Sequence, residues 1–419
     1  MLTLPVALRV LAIVQAGGQG SRMDVLTRER AKPALPFAST HALIDFPMSC
    51  LAAAPVTQVW VSVQYLSRSL DPLLSGGRPW DLDRTVDGFR RIVPEEGTGA
   101  AHDEGFSHGN ADALFRVRDD IRDAAVDVVV VLSADHIFSI DLASVIARHL
   151  EREAECTLVT AEVGVQDARQ KMVVHTGKGS LVTGVDDKPE KPTSGVVATE
   201  IFLYQPEVLI SELERLRATV LAEGEPDDTD DTGLGDFGEH LVPALIKRGR
   251  THADPIEGYW RDVGRPHAYL QAHRDLLAGR IDVFDHPDRP VRGAAHPGPP
   301  AWVGTEGALV DAMAGPGARV RGRVERSVLG PGVQVQPGAV VSDSVLLDDV
   351  VVESGAQVRT AIVDRGTVVG RNAVVGEALK GTRLSDDAIT LVGADSRVGR
   401  GAVVPAGGRL EPGTSVESA

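Results

Sequence analysis

Three glycines and four cations lie within one short stretch near the start of the chain: Gly17, Gly18, Gly20, Arg22, Arg28, Arg30 and Lys32. Glycines let a backbone approach a phosphate chain closely and offer its N–H groups, in conformations that a side chain would forbid. The cations supply fixed positive charge, and a guanidinium suits phosphate because it can contact two oxygens at once. These residue types at this spacing predict a binding site for a polyphosphate.

The glycine pattern differs from two common nucleotide-binding loops. A dinucleotide-binding turn would carry a third glycine where this chain has Arg22-Met23, and a Walker loop would carry Gly-Lys-Ser or Gly-Lys-Thr, which is missing. What remains is Gly-Gly-x-Gly-x-Arg followed by Lys32-Pro33. A basic surface loop behind a core strand contains the same residue types and is the structural alternative.

Two aspartates lie at the ends of further predicted strands. Asp135 follows the apolar run 128–134, and Asp262 follows a second predicted strand end. Sheets of parallel strands place their ligand sites just beyond such ends, which favours a ligand-binding role for these carboxylates. A lone Asp after a strand is often only the N-cap of a helix, so a structural role is the alternative.

The elements that must position these residues alternate between strand-like and helix-like runs. The run Val10–Val14 is short, branched and apolar and leads into the first glycines, which is typical of a buried parallel strand. The other predicted strands are 56–65, 126–132 and 157–165. The predicted helices are 111–122, 142–154, 240–248 and 266–277. This alternation predicts an α/β domain with a doubly wound, mostly parallel, Rossmann-like sheet.

The second part of the chain is repetitive. Apolar residues recur six positions apart, in the series Val340, Leu346, Val352 and Val358, the series Val335, Val341 and Leu347, and the series Ile362, Val368 and Val374. An apolar residue and a turn every six positions resembles the left-handed parallel β-helix of hexapeptide repeats. A β-sandwich is the alternative, but it would space its turns about eight to twelve residues apart.

Between the two parts, residues 285–300 contain so many prolines and glycines that neither a packed helix nor a central strand is expected there. The predicted organisation is therefore a catalytic domain over 1–284, a linker over 285–300 and a β-helix over 301–419.

Composition narrows the class of protein. The chain has 419 residues and a formal net charge of −16, so binding to nucleic acid is not expected and the basic loop is interpreted as a local site. Cys50 and Cys156 have no metal-like spacing, which is typical of buried thiols in a reducing compartment. No segment is long and apolar enough to span a membrane, and the apolar start lacks a basic leader, so a cytoplasmic location is expected.

Together the motifs resemble those of the bacterial glucose-1-phosphate adenylyltransferase family, the ADP-glucose pyrophosphorylases. The matching segments follow the family's order: AGGQGSR at 16–22, RAKPA at 30–34, IDF at 44–46, QYLSRSL at 64–70, GNADA at 109–113, ADHIF at 134–138, DKP at 187–189, DFG at 236–238 and YWRDVG at 259–264. The resemblance implies an enzyme that joins a nucleoside triphosphate to a sugar-like 1-phosphate and releases pyrophosphate. It also implies a homo-oligomer, either a tetramer or a dimer.

The resemblance assigns roles residue by residue. Asp135 and Asp262 would hold one Mg²⁺, a hard cation that combines a few carboxylates with phosphate oxygens. Arg22 and the amides of the three glycines would hold the β- and γ-phosphates, and Lys32 would neutralise the leaving pyrophosphate. The residues implied around the nucleoside are Gln64, Gly109 and Asp112. Those implied around the sugar phosphate are Lys188, Asp187, Glu200, Asp236 and Trp260. For Lys188, a solvated surface position is the alternative.

Departures from the family cluster at substrate-reading positions. Where the family carries Gln-Gln, this chain carries Glu95-Glu96, and a carboxylate complements the two adjacent donors of guanine but would repel N1 of adenine. Two solvated glutamates are the alternative. On the sugar side, this chain carries Asp187 where the family's Glu-Lys-Pro begins with Glu. Residues 198–202 are Ala-Thr-Glu-Ile-Phe where the family has Ser-Met-Gly-Ile-Tyr, and residues 170–171 are Gln-Lys where the family has Phe-Gly. Lost hydrogen-bonding groups argue against glucose 1-phosphate.

These departures resemble the valienol-1-phosphate guanylyltransferases. The preferred prediction is therefore GTP with a glucose-like cyclitol phosphate, valienol 1-phosphate, in aminocyclitol antibiotic biosynthesis. ATP with glucose 1-phosphate, giving ADP-glucose for glycogen synthesis, is the alternative. A non-catalytic regulatory subunit is a second alternative, and it is disfavoured because the catalytic set is intact: Arg22, Lys32, Asp135, Lys188 and Asp262.

Overall fold

A computed structural model describes residues 8–18, 20–85, 87–92, 109–222, 232–281, 289–379, 381 and 384–418. The strands of the first domain are β1 (Val10–Gln15), β2 (Pro36–Phe37), β3 (His41–Ala42), β4 (Gln58–Ser62), β5 (Gly88–Ile92), β6 (Val128–Ser133), β7 (His136–Phe138), β8 (Cys156–Glu162), β9 (Met172–Thr176), β10 (Val182–Asp187), β11 (Val196–Tyr204), β12 (Thr251–Pro255) and β13 (Trp260–Asp262). The helices are α1 (Asp45–Ala52), α2 (Asp71–Leu74), α3 (Asn110–Arg116), α4 (Arg118–Ala124), α5 (Leu142–Glu151), α6 (Pro206–Ala222), α7 (Leu241–Lys247) and α8 (Pro266–Leu277).

The main sheet follows the order β10-β9-β11-β6-β1-β4-β5, with β8 added beside β11 and β12 beside β8. Strands β5, β4, β1 and β6 are parallel, and β1 and the valine run of β6 are buried because helices cover both faces. The predicted Rossmann-like α/β fold is confirmed. Beyond β6, strand β11 pairs antiparallel with β6, β8 and β9, and β9 pairs antiparallel with β10, whereas β12 runs parallel to β8.

The register of the parallel strands fixes where their loops begin. Gln15 at the end of β1 pairs with Ser62 of β4 and with Ser133 of β6. These three strands therefore end at the same level of the sheet, and the loops that follow them meet at one edge.

The single helix predicted over 111–122 is wrong. The chain forms α3 and α4, which are separated at Val117, where φ is −102° and ψ is 11°. The remaining predicted helices are present with slightly different ends, and α8 has the predicted bounds.

The second domain is a parallel β-helix with three sheets, as predicted. The first sheet contains Trp302–Val303, Arg319–Val320, Gln334–Val335, Val351–Val352, Val368–Val369, Arg397–Val398 and Ser415–Val416. The second contains Ala308–Val310, Arg323–Glu325, Val340–Ser342, Gln357–Arg359, Val374–Val375 and Val403–Val404. The third contains Met313–Ala314, Val328–Leu329, Val345–Leu346, Ala361–Val363, Thr390–Val392 and Arg409–Leu410.

The strict six-residue period is a simplification that the structure corrects. The fully buried series is Val335, Val341, Leu346, Val352, Val358 and Val363. The spacing in this series is five or six residues, because one of the three sides of each coil is one residue shorter than the other two. Val340, Val368 and Val374, which the six-residue series contains, are only half-buried because they lie beside the inward positions.

The β-helix packs against the glycine-rich segment of the first domain. Apolar side chains of that segment, including Met23 and Leu26, share one buried cluster with Leu347, Ile362 and Leu391 of the β-helix. Ion pairs surround this cluster and join Arg30 to Asp364, Arg28 to Glu411 and Asp24 to Arg409. Two of the four cations predicted to grip phosphate, Arg28 and Arg30, therefore bind the second domain instead.

The segment between the domains is also anchored. Residues 289–300 form neither helix nor strand, and the backbone of Arg292 exchanges hydrogen bonds with the Ser49 hydroxyl and accepts one from the Trp80 indole. Both cysteines are buried free thiols. Across the described ranges, no helix is both long and apolar enough to cross a membrane.

Candidate active site

Three loops meet at the carboxyl edge of the parallel strands and carry Gly17, Gln64 and Asp135, each two residues beyond the paired strand ends. The Gln64 side chain lies over the first glycine, since a Cβ on Gly17 would stand 2.9 Å from its Cδ. Gly20 has a φ of 66°, in the left-handed region that glycine tolerates. Open space surrounds Gly18. The glycine turn thus forms one wall of a cleft whose floor is the end of the sheet.

Asp135 and Asp262 converge through a small antiparallel pair of strands. Asp262 of β13 stands opposite His136 of β7 in the register, and Asp135 immediately precedes His136. The Oδ1 atoms of the two aspartates lie 3.7 Å and 3.8 Å from Nε2 of that histidine. The structure therefore brings together the two carboxylates that the sequence places at separate strand ends.

Lys32 lies between these groups and is buried, with 5% of its surface exposed. Its ammonium donates to Oδ2 of Asp135. Burial alone would lower the pKa of Lys32, but the carboxylates of Asp135 and Asp262 outweigh it and raise the pKa. Burial likewise works against ionisation of Asp135, yet Lys32 lowers the pKa of that carboxyl to about 2. Both groups are charged at neutral pH.

Arg22 and the backbone of Gly264 complete this corner. A Cβ on Gly264 would stand 3.1 Å from Nζ of Lys32 and 3.7 Å from the Arg22 guanidinium. Arg22 is otherwise exposed, so its guanidinium is available to a ligand in the cleft.

Lys171 adds a further cation at the other side of Asp262. Its Nζ lies 2.8 Å from Oδ2 of Asp262 and 5.0 Å from the centre of the Trp260 ring, within reach of a cation–π interaction. Burial would raise the pKa of the Asp262 carboxyl, but Lys171, followed by His136 and Lys32, holds it well below its usual range.

The cleft extends from this corner towards the residues predicted to read the sugar phosphate. Its lining includes all five of them: Lys188, Asp187, Glu200, Asp236 and Trp260. The Lys188 ammonium lies 3.5 Å from Asp236 and 3.6 Å from Asp187, and more than half of its side chain is exposed. Its ammonium therefore lies at the cleft beside two carboxylates, and its role in binding the sugar phosphate stays a prediction.

Two residues predicted near the nucleoside contact other parts of the chain in this structure. Gly109 packs against the backbone of Gly235, in the loop that carries Asp236, and Ala111 donates to the Gly235 carbonyl at 3.0 Å. Asp112 is completely buried, and its carboxylate accepts hydrogen bonds from Arg116 and Thr232. These hydrogen bonds tie α3 to the segment that carries Thr232, and the nucleoside-binding role of Asp112 stays a prediction. Glu95 and Glu96 lie outside the described residues.

The sequence interpretation missed three residues of the cleft. His136 is 3% exposed and contacts both aspartates, Lys171 pairs with Asp262, and the Ser133 hydroxyl donates to Asp135. His136 could have been found from its position beside Asp135 in the segment ADHIF. The only sequence signal for Lys171 was a charged residue at a position where the family carries Gly.

The assembled cleft combines a glycine turn, cations and carboxylates. Arg22, Lys32 and Lys188 can bind anionic oxygens, while Asp135 and Asp262 can bind a divalent cation that such oxygens share. This chemistry suits two phosphorylated substrates held side by side.

Comparisons with known proteins agree with this geometry. Residues 11–279 match the family model of the nucleotidyl transferases, and residues 300–392 match that of the GlmU-like C-terminal hexapeptide. A glucose-1-phosphate adenylyltransferase of Bacillus licheniformis is 30% identical over 76% of this chain and 81% of its own length. Those of Clostridium perfringens and Thermotoga maritima are each 31% identical, over 80% and 79% of this chain and 82% and 76% of their own lengths.

The matched region spans the whole cleft, from the glycine turn to Asp262, and the relatives align over 76–80% of the chain. The chain therefore belongs to the nucleotidyl transferase family.

Proposed function

We propose that this chain is an Mg²⁺-dependent nucleotidylyltransferase that joins a nucleoside triphosphate to a sugar or sugar-like 1-phosphate and releases pyrophosphate. The observation that carries the proposal is the convergence of Asp135, Asp262 and the buried Lys32 beside the glycine turn. The names of the relatives support the same reaction class.

The reaction needs charge neutralisation more than acid or base catalysis. An oxygen of the sugar phosphate attacks the α-phosphorus, and the bond from that phosphorus to the bridging oxygen breaks as pyrophosphate leaves with the electron pair. The attacking oxygen is already anionic, so no side chain has to remove a proton. Positioning and electrostatic stabilisation account for most of the rate in such transfers.

The chain's own residues supply this stabilisation. Lys32 is buried and charged, so it meets the negative charge that develops on the pyrophosphate in surroundings of low polarity. Arg22 reaches the same corner from the exposed side. Lys188 lies at the opposite end of the cleft. Because more than half of its side chain is exposed, it can exchange its carboxylate partners for the phosphate of the sugar substrate.

Magnesium fits the residues present. Asp135 and Asp262 are ionised and offer oxygen ligands towards a common point, which suits a hard dication. When bound, Mg²⁺ supplies positive charge to the phosphate oxygens of both substrates.

Two substrate pairs remain as candidates. The names of the relatives favour ATP with glucose 1-phosphate, which is the alternative rather than the preferred prediction of the sequence. GTP with a glucose-like cyclitol phosphate keeps one observation in its favour, because Asp187 and Glu200 line the sugar side of the cleft. Its base-reading half depends on Glu95 and Glu96, about which the described structure says nothing.

A crossed matrix of substrates tests the proposal. We would measure pyrophosphate release for ATP, GTP, UTP and dTTP against glucose 1-phosphate and valienol 1-phosphate, and compare kcat/KM values. We expect turnover with at least one pair and none after Mg²⁺ is removed by chelation. Folded protein that turns over no pair would instead support the non-catalytic regulatory subunit. If GTP wins, Glu95→Gln and Glu96→Gln made separately should identify the residue that reads the base.

A further inference from the structure

We propose that Asp386, in the β-helix domain, is a positioning residue for the reaction, because it links the segment that follows Asp262 to the segment that carries Arg22. Its role in catalysis rests on the proposed function, whereas the linkage between the two segments can be measured without substrates. Asp386 lies 119 residues beyond His267, its partner in the first domain, and no motif of the sequence pointed to it.

The segment that follows Asp262 is packed tightly into the corner of the cleft. The Gly264 N–H donates to Oδ1 of Asp262 at 2.8 Å, and a Cβ on Gly264 would stand 3.1 Å from Nζ of Lys32. The chain then turns at Arg265 and enters α8 at Pro266. A shift of this turn would move Asp262 relative to the cations of the corner, and misplacing a reacting group by about 1 Å can cost about a hundredfold in rate.

The amino end of α8 receives its cap from the other domain. Arg265, which precedes the helix, makes no capping hydrogen bond with its own side chain. Instead, Oδ1 of Asp386 accepts from the His267 N–H at 2.9 Å and from Nδ1 of the same residue at 2.8 Å. The first N–H groups of a helix need such acceptors, and a carboxylate also suits the positive end of the helix dipole. Asp386 therefore fixes where α8 begins.

Arg265 extends this contact to the sugar side of the cleft. Its Nη1 lies 3.3 Å from Oδ2 of Asp386, and its Nη2 donates to Oε1 of Gln170 at 2.9 Å. Gln170 immediately precedes Lys171, whose ammonium contacts Asp262. The carboxylate of Asp386 is therefore connected both to the turn before α8 and to the residue beside Lys171.

Asp386 makes these contacts as a charged group. Burial would raise the pKa of its carboxyl, but the hydrogen bonds from the backbone and ring of His267, together with Arg265, lower that pKa, so the group is ionised at neutral pH. Only 26% of its side chain is exposed. Hydrogen bonds to an ionised acceptor are stronger than neutral ones, and partial burial shields them from the screening that weakens surface pairs.

An enlarged coil of the β-helix brings Asp386 to this place. Val352 pairs with Val369, which is 17 residues further along the chain, whereas Val369 pairs with Val398, which is 29 residues further. Asp386 begins the short 3₁₀ turn Asp386–Ala388 of the longer coil, just before the strand Thr390–Val392. The preceding coil closes without the extra length, and here that length carries a carboxylate to the end of α8.

Arg409 joins Asp386 to the glycine-rich segment. Its Nη2 donates to the main-chain carbonyl of Asp386 at 2.8 Å, its Nε donates to Oδ2 of Asp24 at 3.0 Å, and its Nη1 donates to the Ile389 carbonyl at 2.6 Å. Asp24 stands two residues after Arg22 and has a φ of 56°, a conformation that a residue with a Cβ keeps only when its surroundings hold it. One guanidinium of the second domain therefore connects the two sides of the corner.

Kinetics of full-length variants test the role in the reaction. We expect Asp386→Ala to lower kcat at least about tenfold while the KM values of both substrates change less than about threefold, because the reacting groups are misplaced rather than lost. Asp387→Ala is the matched control: it removes the same charge from an exposed neighbour in the same turn, and its kcat should equal that of the native protein. Asp386→Asn should recover most of the loss, because an amide oxygen still caps the helix. A kcat for Asp386→Asn as low as that of Asp386→Ala would contradict the capping role.

Amide hydrogen exchange, followed by mass spectrometry without substrates or metal, measures the linkage itself. In Asp386→Ala we expect faster exchange at residues 264–268 and also at residues 21–27, with no change in Asp387→Ala. The second segment is diagnostic, since among the described contacts Asp386 reaches it through Arg409. Unchanged exchange at 21–27, or a kcat equal to that of Asp387→Ala, in Asp386→Ala shown to be folded by circular dichroism would overturn the inference.

A second variant keeps the test valid if Asp386→Ala does not fold. Arg265→Met, at a half-exposed residue, removes one arm of the same contact and should speed exchange at 264–268 and lower kcat, and unchanged values would again overturn the inference. The two proposals fail separately. Turnover without linked exchange removes the positioning role alone, while linked exchange in folded protein that turns over no substrate pair removes the proposed function alone.

Discussion

The buried ion pair between Lys32 and Asp135 sets the chemistry of the cleft at the scale of single residues. We expect Asp135→Asn to lower kcat at least about a hundredfold, because a charged group at the reacting phosphates is lost. It should also reduce the free energy of unfolding by about 1–3 kcal/mol, because the buried ammonium of Lys32 loses its partner. Pyrophosphate release and urea unfolding measure the two effects.

A second variant separates the two roles of this pair. Adding Lys32→Met to Asp135→Asn removes the unpaired ammonium and should recover most of the lost stability without recovering activity. The loss should also shrink in acid: the depressed pKa of Asp135 stabilises the fold above the unfolded value of 3.8, and this contribution is lost as pH falls towards 2. Equal stability of Asp135→Asn and the native protein at pH 7 would mean that Asp262 alone satisfies Lys32.

The same residues show what a sequence can and cannot predict about a site. The spacing after the glycines predicted a phosphate site at Arg22 and Lys32, and the structure places both side chains beside Gly264. It could not separate them from Arg28 and Arg30, whose partners Glu411 and Asp364 lie in another domain and leave no local signal. His136 was missed for a related reason, because its contacts with Asp135 and Asp262 depend on how strands β7 and β13 pair.

At the scale of elements, the start of α1 contains a buried carboxyl with an unusual environment. Asp45 is 1% exposed, accepts from the Ala42 N–H at 2.8 Å through Oδ2, and has no partner for Oδ1 among the described residues. The linker lies directly against it, since a Cβ on Gly293 would stand 2.3 Å from Oδ2. Burial raises the pKa of Asp45 to about 7.

This carboxyl predicts a pH dependence of stability. A raised pKa means that the folded state binds the extra proton, so the contribution of Asp45 to stability is highest below pH 4, falls as pH rises to about 7 and then levels off. We expect Asp45→Asn to reduce this fall and to raise the free energy of unfolding at pH 8 by roughly 1–3 kcal/mol. Urea unfolding of both proteins at pH 4.5, 6 and 8 measures it. Parallel curves would show that Asp45 does not titrate in this range.

Elements differ in how well the sequence predicts them. Parallel strands such as β1 and β6 were recognisable because burial on both faces leaves a continuous apolar run. The bulge in β11 was not, because a register shift depends on the neighbouring strand β8 rather than on the letters of β11 itself. The break at Val117 and the shorter side of each β-helix coil were missed for similar reasons.

At the scale of the whole molecule, the pair between Arg30 and Asp364 joins the two domains across a buried contact. The Asp364 side chain is 2% exposed, and burial raises its pKa even beside Arg30. We expect Arg30→Met to reduce the free energy of unfolding by about 3 kcal/mol at pH 8, because it leaves a buried carboxylate without a cation. The KM for the triphosphate should rise as well, since Arg30 follows the glycine turn.

Two controls define the outcome. The loss in Arg30→Met should be smaller at pH 5, where Asp364 can take up a proton, and adding Asp364→Asn should restore most of the stability at pH 8. Stability that is independent of pH in the single variant would show that the pair is not a buried charge contact.

A homo-oligomer, a tetramer or a dimer, stays our prediction for the assembly. The first coil of the β-helix leaves Trp302 50% exposed and Val303 43% exposed, and terminal coils without a polar cap usually pack against something. Light scattering at micromolar concentration measures the assembly. A monomer under those conditions would contradict the prediction, and Trp302→Ser should weaken assembly if this coil is the interface.

The contacts of Asp24 with Arg409 and of Arg28 with Glu411 have a consequence for how the protein is made. Chains emerge from the ribosome with the amino terminus first, and early domains begin to fold during synthesis. Here the segment that carries the glycine turn is fixed by side chains near residue 410, so its final form must wait until translation has passed that residue. Products of synthesis interrupted before residue 410 would therefore hold the sheet but lack a settled phosphate loop, and translation of this last part of the β-helix would itself be the step that completes the cleft.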